Sequence, residues 1–239
     1  MDFCRTIIHV VQPGDTFYRL AQRYQTTVPD IILRNPGVNP YNLQIGTRLR
    51  ICAGRMEDSL QKDEMDLSND MREAWYQHGF WTTLYLLSMS YALPNAGSVQ
   101  ERLMETADDI AEIFGKFYSQ KMVEQLKALL MEHIELAGQL MEALRDQKTG
   151  EAEQIEAKWR QNADQIARML SSANSEYRYE DLQQLFNMHL DTLKQQMIAD
   201  NNNNYEAFVK ATDENTQHLM QIADALTAGL IRQFYQKQQ

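Results

Sequence analysis

The chain has 239 residues, 44% of them hydrophobic, enough for one large domain or two smaller ones with real cores. Its net charge of −10 disfavours nonspecific association with nucleic acid or anionic lipid, because both need an excess of Lys and Arg to displace counterions. No apolar run approaches the roughly 20 residues that span a bilayer, so neither a nucleic-acid partner nor membrane insertion is expected.

The charge is divided unevenly. Residues 1–52 hold six Arg against three acids, whereas the rest holds 17 basic and 30 acidic residues, as expected of two units with different surfaces. At the amino terminus, Met1 to Pro13 has one early Arg and only the short apolar run Ile7 to Val11. A secretory signal needs an apolar core of about 7–15 residues, so standard export is not expected and a cytoplasmic place is the default.

Ile7 to Val11 is a β-branched run closed by Pro13-Gly14-Asp15-Thr16, the pattern of a strand entering a turn. A helix follows, capped by Asp15 or Thr16, with Phe17, Leu20, Ala21 and Tyr24 at helical spacing. Thr27-Val28-Pro29-Asp30 starts a second helix, whose core contacts are Ile31, Ile32 and Leu33 and which Asn35-Pro36-Gly37 ends. After a loop from Val38 to Gly46, Thr47 to Ile51 alternates as a second strand. The order is strand, helix, helix, strand. Cys4 and Cys52 stand at the two ends of this unit, with none beyond it. Antiparallel pairing of the terminal strands would bring them near enough for a disulfide that staples a domain of marginal size. Two free thiols in a reducing compartment are the alternative, while two isolated Cys form no metal cluster.

These residues resemble the LysM family. The resemblance runs through His9-Val10-Val11-Gln12-Pro13-Gly14-Asp15-Thr16-Phe17, then Leu20-Ala21-Gln22-Arg23-Tyr24, Thr27-Val28, Asn35-Pro36 and Leu43-Gln44-Ile45-Gly46, with Leu49 and Ile51. It departs at Thr47, where Gln is usual, and at Cys52, near a common Pro. The resemblance implies a small α+β, βααβ domain that binds N-acetylglucosamine-containing glycan, peptidoglycan or a chitin-like polymer, in a shallow groove. By position the groove falls to Gly14, Asp15, Thr16 and Phe17 on one side and Asn39, Pro40, Tyr41, Leu43 and Ile45 on the other. Gly14 lets the backbone approach a sugar, and backbone amides suit an acetamido group. The competing reading assigns Phe17, Leu43 and Ile45 to the core and Gly14 and Thr16 to a turn and a cap. A single shallow site binds weakly, and oligomerisation would multiply it.

Residues 53–66 are polar and charged and read as a linker before a domain spanning 67–236. There the periodicity predicts helices over 67–93, 98–115, 117–147, 151–172, 179–200 and 204–236, separated by Pro94 to Gly97, Gly115, Thr149-Gly150, Asn174-Ser175 and four consecutive Asn. Ser98 with Glu101, and Asn203 with Glu206, have capping-box spacing. Short turns between long amphipathic helices favour an all-α antiparallel bundle, a natural seat for homo-oligomer contacts.

Polar residues interrupt the apolar stripes near mid-helix: His78 and Thr82, His133, Asn162, His189, and Asn215 with His218. In an up-and-down bundle these positions lie at similar heights and would form one buried layer. Three readings stand for it: a hydrogen-bond network that fixes register, a transition-metal or haem site using His78, His133, His189 and His218 with help from Glu132 or Asp213, and a general acid–base site. The Glu-x-x-His element of di-iron bundles is missing, because the residues three before the helical histidines are Trp75, Leu130, Phe186 and Asn215. The stretch from Trp75 to Thr82, Glu132-His133, Trp159 to Asp164 and Gly229 to Phe234 also resemble a poorly characterised family of bacterial helical proteins with no agreed activity. The reading that follows is a noncatalytic protein of the cell or spore envelope, with no resident cofactor. The LysM-like unit holds glycan and the bundle serves assembly or docking; the alternative is a metal- or haem-binding bundle addressed by that unit. A glycan-binding module without an export signal resembles proteins built into bacterial spore layers.

Overall fold

A computed structural model describes residues 5–24, 26–40, 43–53 and 62–235. The chain divides into two compact units, Met1–Leu67 and Ser68–Gln239. In the first, β1 (Arg5–Val10) leads to α1 (Phe17–Tyr24), α2 (Val28–Arg34) and β2 (Arg48–Ala53). The strands pair antiparallel, with Ile7 opposite Ile51 and His9 opposite Leu49. Strand alternation sends Ile51 and Leu49 inward, where Val11, Phe17, Leu20 and Ile31 complete the core. Thr16 caps α1, its Oγ1 accepting from the Arg19 amide at 3.1 Å, and Thr27 does the same for α2 through the Asp30 amide at 3.2 Å.

The second unit is built on six long helices: α3 (Lys62–Ser90), α4 (Ala96–Gly115), α5 (Gln120–Arg145), α6 (Thr149–Ala173), α7 (Tyr179–Asn201) and α8 (Tyr205–Leu230), the last running into a π-helical turn, Ile231–Tyr235. From α4 onward each helix packs on its successor, as short connections require. α3 is held by the Arg72–Asp224 ion pair to α8, the Gln196–Thr83 hydrogen bond to α7 and the His78–Thr106 contact to α4.

Several boundaries differ from the sequence expectation. α3 begins at Lys62, inside the segment read as linker, because Leu67 extends the stripe of Met71, Ala74 and Trp75 toward the amino terminus while Asp66 is exposed. α4 starts at Ala96, so Ser98 lies within the first turn and no side chain caps this helix. α8 is capped by Asn204 rather than Asn203, Oδ1 accepting from the Ala207 amide at 3.1 Å. α3, α5 and α7 end alike. Ala92, Gln147 and Asn203 take left-handed conformations, and the amide after each returns to a carbonyl five residues back: Leu93 to Ser88, Lys148 to Ala143 and Asn204 to Ala199. This Schellman closure usually recruits glycine; here residues with side chains take the left-handed position, and the helices stop within three residues of the ends read from the sequence.

Candidate glycan groove and buried histidine layer

Two tight turns face one another in the first unit. Asp15 N donates to Gln12 O at 3.0 Å, with Pro13 second and Gly14 third at φ +83°, the form of a type II turn. Thr47 N donates to Gln44 O at 3.1 Å, with Gly46 third at φ +88°. Val11 fastens one to the other: its amide donates to Thr47 O and its carbonyl accepts from Gly46 N, both at 2.9 Å. The chain thus fastens together the ends of the two loops to which the LysM resemblance pointed.

What each residue offers differs. Gly14 and Thr16 are exposed, and Ile45 is 69% exposed although an isolated Ile belongs in a core. Asn39, Pro40 and Leu43 are half-buried, Leu43 against the core. Phe17 is 3% exposed and packs in that core, so only its backbone faces the loop. Tyr41 lies outside the described residues.

The Asp15 side chain is 4% exposed and turned inward. Its Oδ2 accepts from the Gln12 amide at 2.9 Å and from His9 Nε2 at 2.7 Å, and Arg23 stands 3.3 Å from Oδ1. With Nε2 on Asp15, the other ring nitrogen, Nδ1, lies 2.7 Å from the Tyr24 hydroxyl. Burial pushes the Asp15 carboxyl up, but the Gln12 amide, His9 and Arg23 outweigh it and hold the group below 3.8. Asp15 therefore braces the turn from beneath. Asn35 does similar work at the far end of α2: its amide bridges Ile31 O and Arg50 O, and its oxygen accepts the Arg50 amide at 2.7 Å. Sequence spacing identified Asn35 only as a helix stop and His9 only as part of a motif.

The comparison with known families decides what these loops belong to. Residues 9–51 match the family model of the LysM domain. No curated protein and no solved structure matches the chain. A LysM domain is a binding module for N-acetylglucosamine-containing glycans, and its two strands, two helices and paired loops are all in place here. Among the described residues no helix is long and apolar enough to cross a membrane. In the LysM domain Cys52 is buried opposite Thr6. Cys4, and with it the expected pairing, lies outside the described residues.

In the bundle, three of the four singled-out histidines come together. Ring centres are 6.2 Å apart for His78 and His189 and 5.9 Å for His133 and His189. His218 stands at the margin, half-buried, with Nδ1 3.3 Å from the Thr192 hydroxyl. Burial holds His133 down to about 3, helped by His189 and opposed by Asn162, and holds His189 down to about 4 against its bond to Asn215 Oδ1. His78 is held well below 6.5 by burial and its two histidine neighbours. All three are neutral imidazoles at neutral pH. Of the two acids considered beside them, Glu132 accepts from Asn162 Nδ2 at 2.9 Å and Asp213 is exposed. Cavities of about 10 Å3 beside the rings have room for one water-sized group, not for a porphyrin. As they stand, no three His, Cys, Asp or Glu side chains among the described residues are set to hold a metal ion.

Proposed function

We propose that this protein is a noncatalytic component of a cell or spore envelope, held to peptidoglycan or a related N-acetylglucosamine polymer by its LysM domain, with the acidic bundle serving assembly or docking. The observation that carries the reading is the LysM match over 9–51, joined to a turn pair in which Gly14, Thr16 and Ile45 are presented to solvent. Gly14 leaves the backbone bare for close approach, amides of both turns suit the acetamido group, and Ile45 supplies an apolar cover for its methyl. In this reading Asn39, Pro40 and Leu43 share the side of Ile45, across from Gly14 and Thr16. One shallow site binds weakly, and self-association through the bundle would raise apparent affinity by about 10²- to 10⁴-fold.

Sedimentation of the full chain with insoluble peptidoglycan tests the proposal. Ile45→Asp removes an exposed side chain, so its stability change should stay within about 0.5 kcal/mol while retention by the glycan falls at least tenfold. Undiminished retention would place binding outside the turn pair. A Cys4–Cys52 disulfide belongs to the same proposal, since an extracellular setting permits it and it would staple a small domain. Thiol alkylation of the unreduced chain should then add no mass, and two added groups would remove the disulfide.

A further inference from the structure

In the bundle each of the three clustered imidazoles has one nitrogen satisfied and one not. His133 Nδ1 lies 3.0 Å from Asn162 Oδ1, and that amide is oriented by its own Nδ2, which donates to Leu129 O and to Glu132. The oxygen can only accept, so His133 carries its proton on Nδ1. Asn215 Oδ1 accepts from His189 Nδ1 at 2.7 Å. Thr106 spends its single hydroxyl proton on Leu103 O at 2.6 Å, so at 3.1 Å it accepts from His78 Nδ1. In all three neutral rings the Nε2 atom therefore keeps a bare lone pair. His189, 2% exposed, has Nε2 buried with no hydrogen-bond partner. The three histidines line one cavity of about 10 Å3, whose wall also includes Leu130, Phe186 and Trp75, the last with a buried, unpaired indole N–H.

A buried unpaired acceptor costs on the order of 1–3 kcal/mol, and a sequence that places three together asks for an electron-pair acceptor among them. We propose that this cavity binds one transition-metal ion of the kind imidazole prefers, zinc or copper, through Nε2 of His78, His133 and His189. The Nδ1 hydrogen bonds to Asn162, Asn215 and Thr106 have the form of the outer contacts that fix ring orientation and tautomer in metal sites. Metal–nitrogen bonds of about 2.0–2.1 Å put the ring centres of a three-histidine site roughly 5.2–5.5 Å apart. His189 stands 5.9 and 6.2 Å from His133 and His78, each wider by less than an ångström, so these rings must draw inward to ligate, and the cavity they line gives that freedom. His218, outside the cluster, takes no part.

The test uses the full chain with Zn(II), with Cu(I) under reducing conditions, and with Mg(II) as the ion imidazole does not prefer. One equivalent of zinc or copper should bind and magnesium should not. His133→Asn and His189→Asn each keep a donor to the facing Asn while removing the Nε2 ligand, and should weaken binding by at least a hundredfold. Failure of zinc and copper to bind, or binding unchanged in both variants, overturns the proposal. If the variants do not fold, nitrogen NMR of the unaltered protein decides. Metal should shift Nε2 of His78, His133 and His189 together and leave their Nδ1 protons in place; shifts confined to His9 or His218, or none at all, overturn it.

Discussion

The two units bury histidine in opposite ways. In the LysM domain His9 sits between a carboxylate and a phenol, both ring nitrogens engaged, in a network that reaches Arg23 and the Gln12 amide. In the bundle His78, His133 and His189 meet no carboxylate directly; their partners are Thr106, Asn162 and Asn215 on one side and one another on the other. A closed charged network braces a loop on the surface. A neutral, half-satisfied cluster makes the interior answer to protons instead.

Acid should separate the units most strongly. His133 at about 3 and His189 at about 4 lie below the ordinary 6.5, and His78 lies well below it. Above pH 6.5 these groups are neutral in folded and unfolded chains alike, and their stabilising contribution is complete. As pH falls beneath 6.5 the unfolded chain takes protons first, so stability is lost until the folded pKa values are passed. Each imidazole removes about 1.4 kcal/mol per pH unit in that window, and three together up to about 4. Glu132 is held by Asn162 and bears on His133 only through that amide, while Asp224, raised by burial despite Arg72, acts in the opposite sense nearer the carboxylate range. Asp15 is lowered from 3.8, so its contribution to the LysM domain persists until pH falls through the carboxylate range. Far-UV circular dichroism between pH 7 and pH 4 should follow bundle melting, while fluorescence from a probe on the LysM domain stays unchanged. Equal acid sensitivity of both units would dissolve the contrast.

Asp15→Ala turns the comparison around. It removes the acceptor of His9 Nε2 and of the Gln12 amide and the partner of Arg23, at about 1–3 kcal/mol for the polar groups left unpaired. A domain this small has little stability to spare, so glycan retention should disappear with its fold. The helical signal of the bundle should persist. A LysM domain that remains folded in this variant would show that the turn holds without its brace.

How legible these features were in sequence depended on their range. The LysM elements and the six helices follow from periodicity and local stops, since Thr27-Val28-Pro29-Asp30 and the recurrence of Leu126, Leu129, Leu136 and Leu140 act within a turn or two. Polar interruptions at His78, His133, His189, Asn162 and Asn215 were visible as breaks in those stripes. Which nitrogens pair with which acceptors was not, because that depends on helix rotation and height rather than on spacing. His218 stood in the same stripe as Asn215 yet lies at the margin. Asp15 shows the same limit within the groove: its place in the loop could be read from the chain, but the inward turn of its carboxylate depends on His9 and Tyr24, the latter from the far end of α1. The ends of α3, α5 and α7 were legible from the breaks that follow them, but not their Schellman form, because Ala92, Gln147 and Asn203 bear side chains.

Thr16 allows the finest cut, separating a loop's shape from its ligand contact. Its Oγ1 caps α1 through the Arg19 amide, and its exposed side stands on the glycan loop. Thr16→Ala removes the cap, at about 1 kcal/mol. Thr16→Ser keeps the hydroxyl and loses only the methyl. If the cap alone matters, Ser restores both melting temperature and glycan retention, whereas Ala lowers both. If the methyl touches the sugar, Ser restores melting temperature and leaves retention weakened. The bundle, whose helices do not depend on this cap, should melt at the same temperature in both variants, so any shift there would mean that the two units are coupled.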